Sequence, residues 1–310
     1  MRFYADSMTL PRSQQVDPAF TPYYHCVSRC VRRAYLCGRD ARTGFDFEHR
    51  RAWIEHRLRA LAGIFALDLC AYAVMSNHYH VVLHLNAVRL ASWDDAEIVA
   101  RWQRLYCLPE GFEAADPIVR GRLIAIWRQR LGSLSWFMKC VNEPLARLAN
   151  REDGCKGRFW EGRFRSQALL DEGAVIKCMA YVDLNPVRAG TATTPEDSAY
   201  TSVQARIEKR DAALAPMSGG DEVCFSLPIA LPAYLQLVDY TGRALRRGKR
   251  GRIDATLRPI LERLEQDAAT GWIYEMTHLS RRYCRAIGSA LSLRAYRDFL
   301  GQRRLNGVTG

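Results

Sequence analysis

Three short stretches carry the residue types that chemistry requires. In His78-Tyr79-His80, two imidazoles stand two residues apart. On a strand, residues i and i+2 share a face roughly 6–7 Å apart, close enough for both rings to converge on one divalent ion. Tyr79 then points to the opposite face and packs inward. The same spacing also suits two polar residues on an ordinary strand face. His84 falls on the histidine face by parity, as a further ligand or a bystander.

The second stretch is Ala180-Tyr181-Val182-Asp183-Leu184-Asn185-Pro186-Val187-Arg188-Ala189-Gly190. On a helix Val175, Met179 and Val182 form a core-facing stripe, and Lys177, Tyr181 and Asn185 form another. Tyr181 is therefore not needed for the core stripe, and its phenol can attack an electrophile held over that face. Asn185, one turn on, can offer its carbonyl oxygen to the same metal. A tyrosine used only for packing fits the position as well.

The third runs from Lys156 to Arg165, where basic residues interleave with Phe159, Trp160 and Phe164. Arg158, Arg163 and Arg165 suit phosphates, and Trp160 suits stacking on an unpaired base. A strand with a solvated basic face and a buried aromatic face carries the same pattern.

These residues need elements to hold them. Pro22 to Arg29 reads as a first strand, rich in β-formers. Phe45 to about Leu67 has helical apolar spacing. Asp68–Met75 and His78–Leu85 read as an antiparallel hairpin about a tight turn at Ser76-Asn77. Residues 86–134 break the rhythm as an insertion, with helices expected at Ala96–Tyr106 and Ile118–Leu131. A helix is expected from Ser135 to Arg151, a strand from Arg158 to Leu170, and a helix from Asp171 to Asn185 ending before Pro186. The order is that of an α+β, ferredoxin-like antiparallel sheet with packed helices.

The remaining segments are a loose arm over residues 1–20, a linker over 206–225 and a basic, mostly helical extension over 226–310. The linker lies in a Thr-, Pro-, Ser- and Gly-rich stretch that starts near residue 191.

The chain has 310 residues, 48% of them apolar and 25% charged, values that argue against wholesale disorder. Its 45 basic residues exceed its 33 acidic ones for a net charge of +12. That excess suits a polyanionic partner such as nucleic acid, though an arginine-rich composition alone would produce it. No apolar run is long enough to span a membrane, and the N-terminal residues have no apolar signal core. The expected location is the cytoplasm. None of the ten cysteines forms a CxxC pair, so they read as reduced thiols filling the core.

Taken in order, YHCVSR, AYAVMSNHYHVVLHL, GRFWEGRFRSQALLDE and AYVDLNPVRAG resemble the IS200-like single-tyrosine transposases of the HUH endonuclease superfamily. More closely, they resemble the REP-associated tyrosine transposase branch. The resemblance covers about residues 20–205, interrupted by the insertion. It implies that His78 and His80 bind Mg²⁺ or Mn²⁺, with Asn185 as third ligand, and that Tyr181 is the nucleophile. It also implies a 5′-phosphotyrosine link to single-stranded, hairpin-forming DNA, with release of a 3′-OH that later rejoins the strand. The expected DNA contacts are Arg158, Trp160, Arg163, Arg165, Arg188 and the run Arg246, Arg247, Lys249 and Arg250. Two competing expectations are a DNA-binding protein of the same fold without catalysis, and a metal-dependent hydrolase that uses water. A monomer and a homodimer are both compatible with the sequence.

Overall fold

The computed structural model describes residues 16–31, 36–40, 44–218, 225–244, 251–260, 286–301 and 307–309. Arg246, Arg247, Lys249 and Arg250 lie outside the described residues, as does most of the N-terminal arm. The elements are β1 (Tyr23–Arg29), α1 (His49–Ala62), β2 (Leu67–Val74), β3 (His78–Leu85), α2 (Ala87–Ser92), α3 (Asp95–Gln103), α4 (Pro117–Leu131), α5 (Leu134–Glu152), β4 (Arg165–Leu169), α6 (Glu172–Asp183), α7 (Asn185–Ala189), α8 (Ser202–Ile207), α9 (Leu231–Arg243), β5 (Ala286–Gly288), α10 (Ala290–Phe299) and β6 (Gly307–Thr309).

The strands form one sheet in the order β2-β3-β1-β4-β5-β6. The first four pair antiparallel, which is the ferredoxin-like arrangement expected. β5 and β6 extend the sheet in parallel beyond β4. The C-terminal region is therefore part of the central sheet, not a helical appendage alone.

Strand alternation divides the core in two. On one face Tyr24, Cys26, Tyr79, Val81 and Leu83 pack with α1, α5 and the 86–134 insertion. Tyr79 is fully buried there, and its hydroxyl donates to Asn142 Oδ1 at 2.8 Å. On the other face Val82 and Leu169 pack with α6, α7, α8 and α9. The insertion thus joins the face opposite His78 and His80.

Local signals account for the helix starts. Asp171 caps α6 by accepting from the Ala174 N–H at 2.8 Å, Ser133 caps α5, and Asp116 with Pro117 opens α4. The described cysteines are all free, and six of these eight are buried. Among the described residues no helix is long and apolar enough to cross a membrane.

Several expected boundaries move. The fourth strand begins at Arg165, not Arg158. Gly157 sits at φ +100°, and the segment before Arg165 joins the sheet's backbone pairing at a single Cys30–Trp160 bridge among the described residues. Pro186 does not end the helical path. Leu184 closes α6 and opens α7, where Pro186 occupies the first turn and its missing N–H costs nothing. α1 starts later than Phe45, which is exposed. Much of the presumed linker is structured cover for β2: the backbone of Leu214 bridges to Leu69, and the buried Arg206 donates to the carbonyls of Cys70 and Ala215 at 3.0 Å. The Thr- and Ser-rich stretch just before it resembles a loop, but Ser198, Thr201 and Ser202 are fully buried and hydrogen-bonded.

Candidate active site

The register places the chemistry. Val27 stands opposite His80 and Arg29 opposite His78 on one side of β1, while His25 stands opposite Gln167 on the other. His25, His78, His80 and Gln167 therefore share the face that α6 covers. Val175, Met179 and Val182 fix α6 to that face with fully buried side chains. Tyr181 and Asn185 then line a cavity of about 540 Å³ together with the two expected histidine ligands.

The rings are close. His78 and His80 meet edge to face with centroids 4.8 Å apart, and His80 and Tyr181 do the same at 5.8 Å. His25 stacks on His80 at 5.1 Å and 12°. Hydrogen bonds orient the imidazoles. His78 Nδ1 lies 2.5 Å from Asn77 Oδ1, and His80 Nδ1 lies 2.9 Å from His25 Nε2. His25 Nδ1 lies 3.3 Å from Gln167 Oε1. An amide oxygen only accepts, so His25 donates through Nδ1 and its Nε2 accepts from His80 Nδ1–H. In both His78 and His80 the lone pair then resides on Nε2. Burial pushes His25 down to about 4, which keeps it neutral in this chain of bonds.

The donor atoms present fit a divalent ion. Two imidazole nitrogens are tautomerically fixed, the arrangement that ligating histidines commonly show. Asn185 Nδ2 donates to the carbonyls of Tyr181 and Val182 at 3.1 and 3.3 Å, which leaves Oδ1 as the donor atom of that side chain. Among the described residues no group of three or more His, Cys, Asp or Glu is arranged as a metal cluster. An ion held by His78, His80 and Asn185 would need further oxygen ligands to become six-coordinate.

Arg29, Arg163 and Arg165 line the same cavity with Glu161, so its balance is positive. Ile287 of β5 also lines it, which makes the C-terminal strand part of its wall.

The remaining expected residues fall in different places. Trp160 is half-buried beside a second cavity, which Arg163 also lines. Arg158 is exposed on the loop, and its Nη1 approaches the Glu161 carbonyl at 3.4 Å. Arg188 is misassigned as a DNA contact: it is buried, and its guanidinium donates to the carbonyls of Ala244, at 2.5 Å, and Thr241 at the end of α9. Lys177 is buried, with α9 and the sheet packed around α6. His84 is turned to other work, with Nδ1 2.8 Å from Asp68 Oδ2 and its ring stacked on Phe225.

His25, Arg29, Gln167, Asn77 and Glu161 are among the site residues that the sequence did not single out. His25 lies within the first expected strand, but only strand pairing brings it beside His80.

No family model matches this sequence, and no curated protein matches it. One solved structure, of a REP-associated tyrosine transposase bound to a REP hairpin, is similar over 66% of this chain and 90% of that one. The two are 16% identical, with a TM-score of 0.32, too low to carry an argument.

Proposed function

We propose that this protein cleaves and rejoins single-stranded DNA through a covalent link to Tyr181, with Mg²⁺ or Mn²⁺ held by His78, His80 and Asn185. The observation that supports it is the convergence of a strand-borne histidine pair and a helix-borne tyrosine in one basic cavity.

A divalent ion there would polarise the scissile phosphate and offset charge that builds up in the transition state. Arg163 and Arg165 hold the flanking phosphates. The Tyr181 phenolic oxygen attacks phosphorus in line and loses its proton. The bond from phosphorus to the 3′ oxygen breaks, giving a 5′-phosphotyrosine and a free 3′-OH. In the reverse sense a 3′-OH attacks the phosphotyrosine and releases the phenol. One phosphodiester is exchanged for another, so neither water nor an external energy source is consumed. The partner is expected to be a DNA strand that forms a hairpin.

The test mixes the purified protein with end-labelled hairpin DNA from beside its own gene, in Mn²⁺ or EDTA, and resolves products on denaturing gels. A Mn²⁺-dependent covalent adduct that disappears in Tyr181→Phe and His78→Ala is the expected result. Tight binding with no adduct, even on longer flanking DNA, would transfer the reading to a non-catalytic DNA-binding protein. Cleavage that survives Tyr181→Phe and leaves no protein–DNA link would instead indicate hydrolysis by water.

A further inference from the structure

Beside the cavity at Tyr181 lies a second cavity of about 490 Å³, between α5 and the loop of residues 158–164. Gly162 and Arg163 line both, so the two share a wall. Trp160 is anchored on this side. Its Nε1 donates to the Asn142 carbonyl at 2.9 Å, and its ring meets Tyr79 and Phe159 edge to face at 5.9 and 4.9 Å. Even so it remains half-buried and lines the cavity with Phe164 and Met138. Two exposed cations, Lys139 and Arg163, also line it, beside a Glu143 carboxylate that is already paired with Arg147.

This combination selects among ligands. A bare phosphate would make no use of the Trp160 and Phe164 rings. An uncharged apolar molecule would make none of Lys139 and Arg163. A nucleotide of an unpaired strand uses both: its base stacks on an immobilised aromatic ring, and its phosphate meets a cation. Because Arg163 borders both cavities, a strand passing from one to the other keeps a phosphate beside it. We propose that the second cavity takes an unpaired base of the same DNA strand whose scissile phosphate lies at Tyr181, with Arg163 on the phosphate between them. This rests on the single-strand reading above.

The experiment measures binding by fluorescence anisotropy with two labelled 12-mers, oligothymidine and the same backbone without bases. The native protein should bind oligothymidine about 5-fold or more tighter, the size of one lost base–aromatic stack. Phe164→Ala, which removes a wall, should shrink that ratio toward 1 and leave affinity for the abasic strand unchanged. Ser135→Phe fills the cavity from α5, lies outside the Tyr181 cavity and should do the same, so the test survives misfolding of one variant. Equal affinity of the native protein for both strands, or an unchanged ratio in the folded variants, overturns the proposal. Adduct formation is scored separately. A Tyr181 adduct without base preference refutes only the base pocket. A base preference lost in both variants, without any adduct, supports the pocket and refutes only the chemistry.

Discussion

At the scale of single residues, the central relation is the chain of bonds Gln167–His25–His80, at 3.3 and 2.9 Å. It defines which nitrogen of His80 bears the lone pair and holds the ring against rotation. Groups behind a ligating histidine commonly change metal affinity by about 10–100-fold. His25→Ala and Gln167→Leu should each weaken Mn²⁺ binding within that range, measured without DNA by electron paramagnetic resonance of free Mn²⁺. Tyr181→Phe should leave the same affinity unchanged while removing the covalent adduct. An unaltered Mn²⁺ affinity in a folded His25→Ala protein would reduce His25 to packing. His78, His80 and Tyr181 were legible because their spacing within one strand and one helix is itself informative. His25 and Gln167 were not, because their roles depend on a pairing register between strands far apart in sequence.

At the scale of elements, α6 must be immobile for Tyr181 to face the histidines. Asp183, fully buried at its end, ties it down: it accepts from Ser202 Oγ at 2.5 Å, the Val203 N–H at 3.0 Å and Tyr234 Oη at 2.5 Å. One carboxylate thus joins α6 to α8 and α9. Burial raises Asp183 to about 6, above its ordinary value of 3.8. Between those values the folded chain keeps a proton that the unfolded chain has released. This contribution to stability is complete below about 3.8 and is lost as the pH rises through 6. Asp183→Asn should flatten that slope in urea unfolding at pH 4.5 and 7; identical slopes would disprove the assignment.

Arg188 performs a related task between α7 and the end of α9. Arg188→Met strands buried carbonyls and should cost about 2–4 kcal/mol in the same assay. It should leave the salt dependence of DNA binding unaltered. The close approach of Gly251 to the Val187 carbonyl and Gly190 shows how tightly the following segment lies over α7, since a Cβ at Gly251 would collide with both. Arg188 stands among the expected DNA contacts because nothing local distinguishes an arginine that caps a distant helix from one that meets DNA.

At the scale of the whole molecule, the sheet separates two jobs. One face holds the larger apolar core, including the stacked Trp102 and Trp127 of the insertion, and the other presents the polar residues of the candidate site. Positive charge is concentrated where the strand would run, through Arg29, Arg163 and Arg165. For single strands the logarithm of affinity falls with the logarithm of salt by roughly 0.7 per phosphate contact. The double variant Arg163→Ala with Arg165→Ala should therefore lower that slope by roughly 1.4. An unchanged slope from anisotropy titrations across salt would mean that these arginines do not meet phosphates. The C-terminal region also belongs to this scale. Its charge was visible in the sequence, but its strand pairing with β4 and the place of Ile287 in the cavity wall were not.

By itself, the sequence determined what is periodic or local. The alternation of β3 put His78 and His80 on one face and Tyr79 on the other, and the helical stripe of α6 separated Tyr181 from Val175, Met179 and Val182. The order of elements was enough for the α+β class. Tertiary structure decided everything that depends on long-range pairing. It set His25 behind His80, removed Arg188 to the end of α9, turned a presumed linker into cover for β2 and carried the C-terminal chain into the sheet. The physical reason is that side-chain direction follows from backbone periodicity within an element, whereas a hydrogen-bond partner 55 or 142 residues away is defined only by how strands pair and helices pack.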